Sequence, residues 1–236
     1  MRCGLIFAKY RRDPVGQRRA AIHTASITFH DAAKEKRQLV LLGFLLVLLA
    51  AAVSKFWLTD EKRYPPGILV RSEPRQALIK SPKPWKRGER LIVPMARFSL
   101  EARVLGKESY WLDAGADISP IDLALGWGPM SDQSVLDQLE IAQGNRRYVM
   151  VPSGDRLPLP WPALMAHSSN MHMIPADEQV ENTLKSLRTG EIIELSGYLV
   201  GIQQGGQWTW VSSLSRTDTG DGACEIVWLE RLTVRR

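Results

Sequence analysis

From His167 to Met173 the chain reads HSSNMHM, and these residues carry its most conspicuous donor chemistry. Two imidazoles (His167, His172) and two thioethers (Met171, Met173) make a soft set suited to copper, above all Cu(I), or to zinc. All four converge only in an irregular loop, because histidines five apart diverge on a helix. The proline-rich run PLPWPALM just before gives such a loop a rigid approach. The remaining histidines, His23 and His30, lie far upstream, so no third imidazole is at hand. Against a metal site stands plain hydrogen-bonded packing by His167, Ser168 and Asn170.

Other constellations are thinner. Ser168 or Ser169 beside His167 or His172, with Asp177 or Asp122 as orienter, supplies the atoms of a hydrolase without any nucleophile-elbow motif. Asp218-Thr219-Gly220 has the letters of an aspartic protease but no second copy to share the proton. Asp218, Asp221 and Glu225 offer hard oxygens, yet not at EF-hand spacing. That loop reads more simply as a tight connection, with Arg216 pairing one of its aspartates. No zincin, phosphate-loop or dinucleotide fingerprint occurs, and no motif calls for a cofactor. Trp208 and Trp210, two apart in a strand, are expected to share a sheet face as aromatic anchors for the core or for a partner.

The elements that must carry these groups begin with an apolar run. Residues 39–53 (LVLLGFLLVLLAAAV) hold no charged or strongly polar side chain, and the character continues to Leu58. From Leu39 to Leu58 is twenty residues, and a helix needs about 20 to cross roughly 30 Å of hydrocarbon. Lys55 snorkels, while Phe56 and Trp57 suit the interface. A cleaved signal peptide fits less well, because 38 residues precede the run and its apolar character passes the small residues Ala50–Ala52. The expectation is an uncleaved signal-anchor.

Residues 1–38 hold nine Lys or Arg against three acids, an excess equal to the +6 of the whole 236-residue chain. Basic residues stay on the cytoplasmic side. The sequence therefore predicts a single-pass bacterial inner-membrane protein with a cytoplasmic N-terminus and a periplasmic C-terminal domain. It also argues against nucleic acid, since the positive charge lies in the leader and not on the folded domain. Cys3 and Cys224 would then stand on opposite sides of the membrane and form no disulfide. Cys224, in an apolar run, reads as a buried small hydrophobe.

The segments expected are a basic tail (1–38), a transmembrane helix (39–58), a Pro/Lys/Arg-rich linker (59–90) and an extracytoplasmic domain (91–236). Within that domain, alternation at 98–104 predicts a strand, continued at 107–112 after a turn at Gly106. Residues 131–142 predict a helix capped by Ser131, 146–151 a strand, and 177–187 a second helix. Residues 191–202, 207–214 and 224–234 predict an antiparallel meander, with Gly197 marking a bulge. The fold class is α+β: a mainly antiparallel sheet or open OB-like barrel with about two helices.

Three segments carry a family likeness: GWGPMSD (126–132), HSSNMHMIPA (167–176) and SSLSRTDTGDGACE (212–225). Together they resemble an uncharacterised group of bacterial single-span envelope proteins. The resemblance implies the topology and no chemistry. It suggests that Trp127, Asp132, His167, Asn170, His172, Arg216 and Asp218 gather around one pocket or polar network, with Trp208 and Trp210 available to an interaction surface. The function expected is a membrane-anchored interaction or scaffolding protein with an envelope protein as partner and no catalysis. The alternative is small-ligand, copper or zinc binding, or hydrolysis, at residues 167–173.

Overall fold

Strand-forming sequence dominates after residue 73, and one strand of twenty residues organises the rest. In the computed structural model, residues 37, 39–49, 61–112, 115–215 and 224–235 are described. The strands are β1 (Arg75–Leu78), β2 (Trp85–Arg87), β3 (Arg90–Ser109), β4 (Ile121–Gly126), β5 (Leu139–Gly144), β6 (Arg147–Pro152), β7 (Ser168–Pro175), β8 (Ile192–Gln204), β9 (Gln207–Val211) and β10 (Glu225–Val234). Helices α1 (Gln133–Leu136), α2 (Trp161–Ala166) and α3 (Glu178–Ser186) are short, and a 3-10 turn spans Gly128–Ser131.

The pairing order β3-β4-β7-β10-β8 returns to β3, so five strands close into a ring. All neighbours in it are antiparallel except β7 and β10. β1 and β2 add to β3, β9 adds to β8, and β5–β6 is a separate hairpin. The main core draws on every strand of the ring, with Phe98, Leu100, Leu123, Leu125, Met171, Met173, Leu195, Leu199, Val227 and Leu229 among its members. It therefore fills the interior, and Val180 and Leu184 of α3 pack onto it. A second cluster, with Ile92, Ile174, Val200, Ile202 and Ile226, lies on the other face under Trp85, Tyr198, Trp210 and Trp228. A third, with Leu105, Met130, Leu139, Met150 and Leu164, fastens the hairpin and α2. At Gly197 a Cβ would stand 1.9 Å from the Trp228 carbonyl oxygen, beside the irregularity in the β8–β10 register. Glycine is required there for the strands to close.

The α+β expectation is corrected. Among the described residues strand dominates, in a mixed eight-stranded sheet with a closed ring, and helices are few and short. Residues 131–142 do not form one helix. Asp132, not Ser131, caps the single turn of α1, and the apolar alternation of Leu139 and Ile141 then belongs to β5. Gly106 makes no turn, since β3 runs through it. The segment expected as a linker supplies β1 and β2.

The chain divides into two units, Met1–Trp57 and Leu58–Arg236. In the first, residues 39–49 are helical, and their large apolar side chains are each between 50% and 73% exposed. Among the described residues no helix is long and apolar enough to cross a membrane. The transmembrane helix and signal-anchor expected at 39–58 are corrected accordingly. Residues 50–58 lie outside the described residues.

Candidate functional site

Polar side chains expected in one site divide between two places. The first lies on β4 and β7, where Asp122 stands opposite His172 in register. Both are buried. Oδ1 of Asp122 is 3.0 Å from Arg146 Nη1 and 2.9 Å from His172 Nδ1. The imidazole contact lacks hydrogen-bond alignment, and Oδ2 of Asp122 has no hydrogen-bond partner. Trp210 lies against the His172 ring at 4.6 Å between centroids. The Arg146 guanidinium sits 3.8 Å over the Tyr110 ring and 5.7 Å from that of Trp210.

Arg146 arrives from a two-residue turn. Asn145 and Arg146 have φ of 51° and 63° between β5 and β6, a left-handed pair matching the twist of a tight hairpin. For a residue like Arg146 that conformation costs about 1–2 kcal/mol. It is offset by bonds from Arg146 Nη1 to Asp122 and to the Ser119 carbonyl, and from its N–H to the Tyr110 hydroxyl. Gln143 donates to Asn170 Oδ1 at 2.8 Å, while Asn170 donates to the Arg146 carbonyl at 3.2 Å. Gly106 makes room for this, since a Cβ there would meet Gln143 Oε1 at 2.5 Å.

The nucleophiles nearby are occupied. Ser168 Oγ donates to the Leu164 carbonyl and contacts the Tyr148 hydroxyl. Ser169 donates to buried Glu225. Burial, then the charges of Glu225 and Asp122, push the Cys224 thiol up to about 11. It is a protonated thiol at neutral pH, not a thiolate. The arrangement binds the β5–β6 hairpin to the barrel. Arg146, Gln143 and Tyr110 were not singled out from the sequence, where nothing in their spacing marks them.

The soft donor set does not assemble. β7 is a strand, so Met171 and Met173 enter the barrel core while His172 faces the other way. His167 precedes the strand, with Nδ1 2.7 Å from the Ala163 carbonyl and Nε2 3.6 Å from Glu73. Strand alternation thus parts Met171 and Met173 from His172, three of the four residues expected with His167 as a metal site. Among the described residues no group of three His, Cys, Asp or Glu is placed to hold a metal. Trp208 and Trp210 also part company. A register irregularity lets Trp210 follow Ile202, while Trp208 covers Gly201 on the opposite side. Arg216 and Asp218 lie outside the described residues.

The second place is a clasp built from Trp127 to Gln133. Ser131 Oγ accepts from the N–H groups of Leu69 (3.1 Å) and Val70 (3.0 Å). Asp132 Oδ1 accepts from Gly67 N–H at 2.9 Å, and Gln133 Oε1 from Tyr64 N–H at 3.1 Å. Gly128 N–H donates to the Val70 carbonyl, and Trp127 Nε1 to Glu73. Buried Arg103 completes the clasp through Lys62 O, Ser131 O and Gln133 Oε1. Burial pushes the Asp132 carboxyl up, but the bonds from Gly67 and Ser134 with the field of Arg103 outweigh it, leaving it below the ordinary carboxylate range. Asp137 is also lowered, first by its bond from Gln133 and then by Arg63. The loop thus takes hold of the backbone of residues 61–73. Trp127 and Asp132 belong here, and Asn170, His172 and Trp210 belong to the first cluster.

The chain matches no protein-family model, no curated protein and no solved structure.

Proposed function

We propose that the chain is a lipid-associated interaction protein of the bacterial envelope, whose barrel is a binding module without catalysis of its own. The observation that carries this reading is the helix at 39–49, apolar on every side and exposed along its whole length. A helix of that kind belongs in an apolar medium. The basic residues clustered in 1–38 add attraction to anionic lipid. Binding without catalysis is supported by the closed polar cluster, in which Ser168, Ser169 and Cys224 are bound or protonated. No observation favours the metal or hydrolase alternative.

The test is flotation of the full chain with vesicles of phosphatidylethanolamine and phosphatidylglycerol. The protein is expected to rise with the lipid, and the triple variant Leu41→Asn, Leu45→Asn, Leu48→Asn to stay below. A wild-type chain that remains in the dense fraction overturns the reading.

A further inference from the structure

Charge in the folded unit is segregated, although its sum is close to zero. Residues 75–97, which run from β1 through β2 into β3, hold seven Lys or Arg against one acid, Glu89. The rest of the unit from Leu58 onward holds fourteen against twenty-one acids. One contiguous segment is therefore the positive end of a strong asymmetry that the near-neutral total conceals. Register shows how the segment presents its charge. Arg75 stands opposite Ser99 and Ala77 opposite Arg97, so both arginines share one face of the β1–β3 pair. The N–H of Ile79 donates to the Met95 carbonyl at 2.9 Å, and β2 then returns along β3 with Trp85 opposite Ile92.

Arg75, Lys80, Lys83, Lys86 and Arg97 are all exposed. Among the described residues none of the five has a carboxylate within salt-bridge distance. The other two cations of the segment are engaged. Arg90 pairs with Asp117 at 2.6 Å, and Arg87 donates to the Pro175 carbonyl in the field of Glu181 and Asp117. Farther along β3 the face turns acidic, where Glu101 stands opposite Glu194 and is held by Arg235. Half-buried aromatic rings lie between the cations. Trp85 meets Tyr198 and Trp228 edge-on at 5.9 and 5.1 Å. The Arg97 guanidinium sits 5.7 Å over the Tyr198 ring and that of Arg87 5.3 Å over Trp228. Half-buried Trp and Tyr among exposed Lys and Arg is the composition of a lipid headgroup interface. The bases of a nucleic acid would instead need open ring faces for stacking, and here guanidinium groups cover two of the rings.

We propose that residues 75–97 dock the folded unit on an anionic phospholipid surface, whose phosphates meet Arg75, Lys80, Lys83, Lys86 and Arg97. This contact rests on the reading of the chain as lipid-associated and adds an electrostatic attachment to the apolar one. Once the helix at 39–49 holds the chain at a bilayer, the second contact is intramolecular, so individually weak charges suffice. Each cation beside an anionic surface contributes about a fivefold factor. The excess of acid elsewhere in the unit is repelled by the same surface, which selects the side that faces it.

The experiment uses the full chain with Cys3→Ser and Cys224→Ala, and Ser81→Cys carrying a bimane fluorophore. The vesicles are phosphatidylcholine with or without phosphatidylglycerol, doped with a lipid whose headgroup nitroxide quenches bimane only at close range. Quenching is expected to be at least about fivefold stronger where phosphatidylglycerol is present. Salt at about 1 M, where the Debye length is about 3 Å, is expected to abolish that gain while the chain still floats. The variant Arg75→Gln, Lys80→Gln, Lys83→Gln, Arg97→Gln is expected to abolish it at low salt. Quenching that is equal on both vesicles, absent from both, or unmoved by salt overturns the proposal, and flotation then decides the parent reading by itself. A chain that floats on neither vesicle overturns both. A thymidine oligonucleotide that relieves the quenching at the same phosphate concentration overturns the lipid assignment in favour of nucleic acid.

Discussion

Asp122 and Trp127 stand at the two ends of one short strand segment, yet they introduce opposite kinds of polar structure. Around Asp122 the side chains turn to one another: Arg146, Asn170 and Gln143 bond within the cluster and tie a hairpin to the barrel, while Asp122 Oδ2 and His172 Nδ1 have no hydrogen-bond partner. Past Trp127 the side chains of Ser131, Asp132 and Gln133 take hold of a distant backbone, the N–H groups of Tyr64, Gly67, Leu69 and Val70. A cluster turned on itself fixes shape. A row of acceptors that grips main chain can hold a segment with little regard to its side chains. The difference teaches where this molecule uses polarity for stability and where for attachment.

The largest expected effect breaks the first region. Asp122→Ala leaves Arg146 and His172 without their buried carboxylate, and such a loss costs about 3–5 kcal/mol. Urea unfolding is expected to show the drop, with the hairpin amides losing protection first. Ser131→Ala is the matching change in the clasp. It removes the acceptor of two backbone N–H groups, worth about 1–3 kcal/mol. Its faster amide exchange is expected at residues 61–73, with the ring unaffected. A Ser131→Ala penalty equal to or above that of Asp122→Ala would erase the contrast.

Acid sharpens the comparison next. Asp132 and Asp137 both have lowered carboxyl pKa values in the fold. A lowered value means that the stabilisation is complete above the unfolded-state pKa, about 3.9, and is lost as pH falls through the folded one. Protection of the amides of Gly67 and Tyr64 is therefore expected to fade below about pH 4, and Asp132→Asn to blunt that dependence. Fading that begins near neutrality would point to another group. The smallest effect is chemical. With Cys3 replaced by Ser, alkylation of Cys224 is expected to be slow at neutral pH and to climb only towards its raised value of about 11. Rapid reaction at pH 7 would mean that the first region is open.

How much of this the sequence displayed depended on whether burial was one-sided. The alternation at 98–104 lies within β3, and the segment at 177–187 contains α3 with its Asp177 cap. The three late strands were also visible, being punctuated by Gly205-Gly206 and Gly197. β4 and β7 left no such trace. Both faces of β7 are buried, Met171 and Met173 inside and Asn170 and His172 outside, so polar and apolar residues alternate without a solvent face. Read as a loop, that segment suggested metal donors. Strand geometry separates them. At Trp208 and Trp210 a single bulge reversed the expected shared face. The clasp was invisible for another reason: Ser131, Asp132 and Gln133 act on main chain more than sixty residues away, and backbone donors carry no sequence signature. Asp122 was visible only as one of two possible orienters, beside Asp177.

The most direct test of the account is the surroundings of the apolar helix in lipid. With Cys3→Ser and Cys224→Ala as background, Leu45→Cys carries a nitroxide in the full chain on phosphatidylethanolamine–phosphatidylglycerol vesicles. The account predicts a label that collides readily with oxygen and hardly at all with a water-soluble nickel chelate. A label equally open to the chelate with and without vesicles would contradict it.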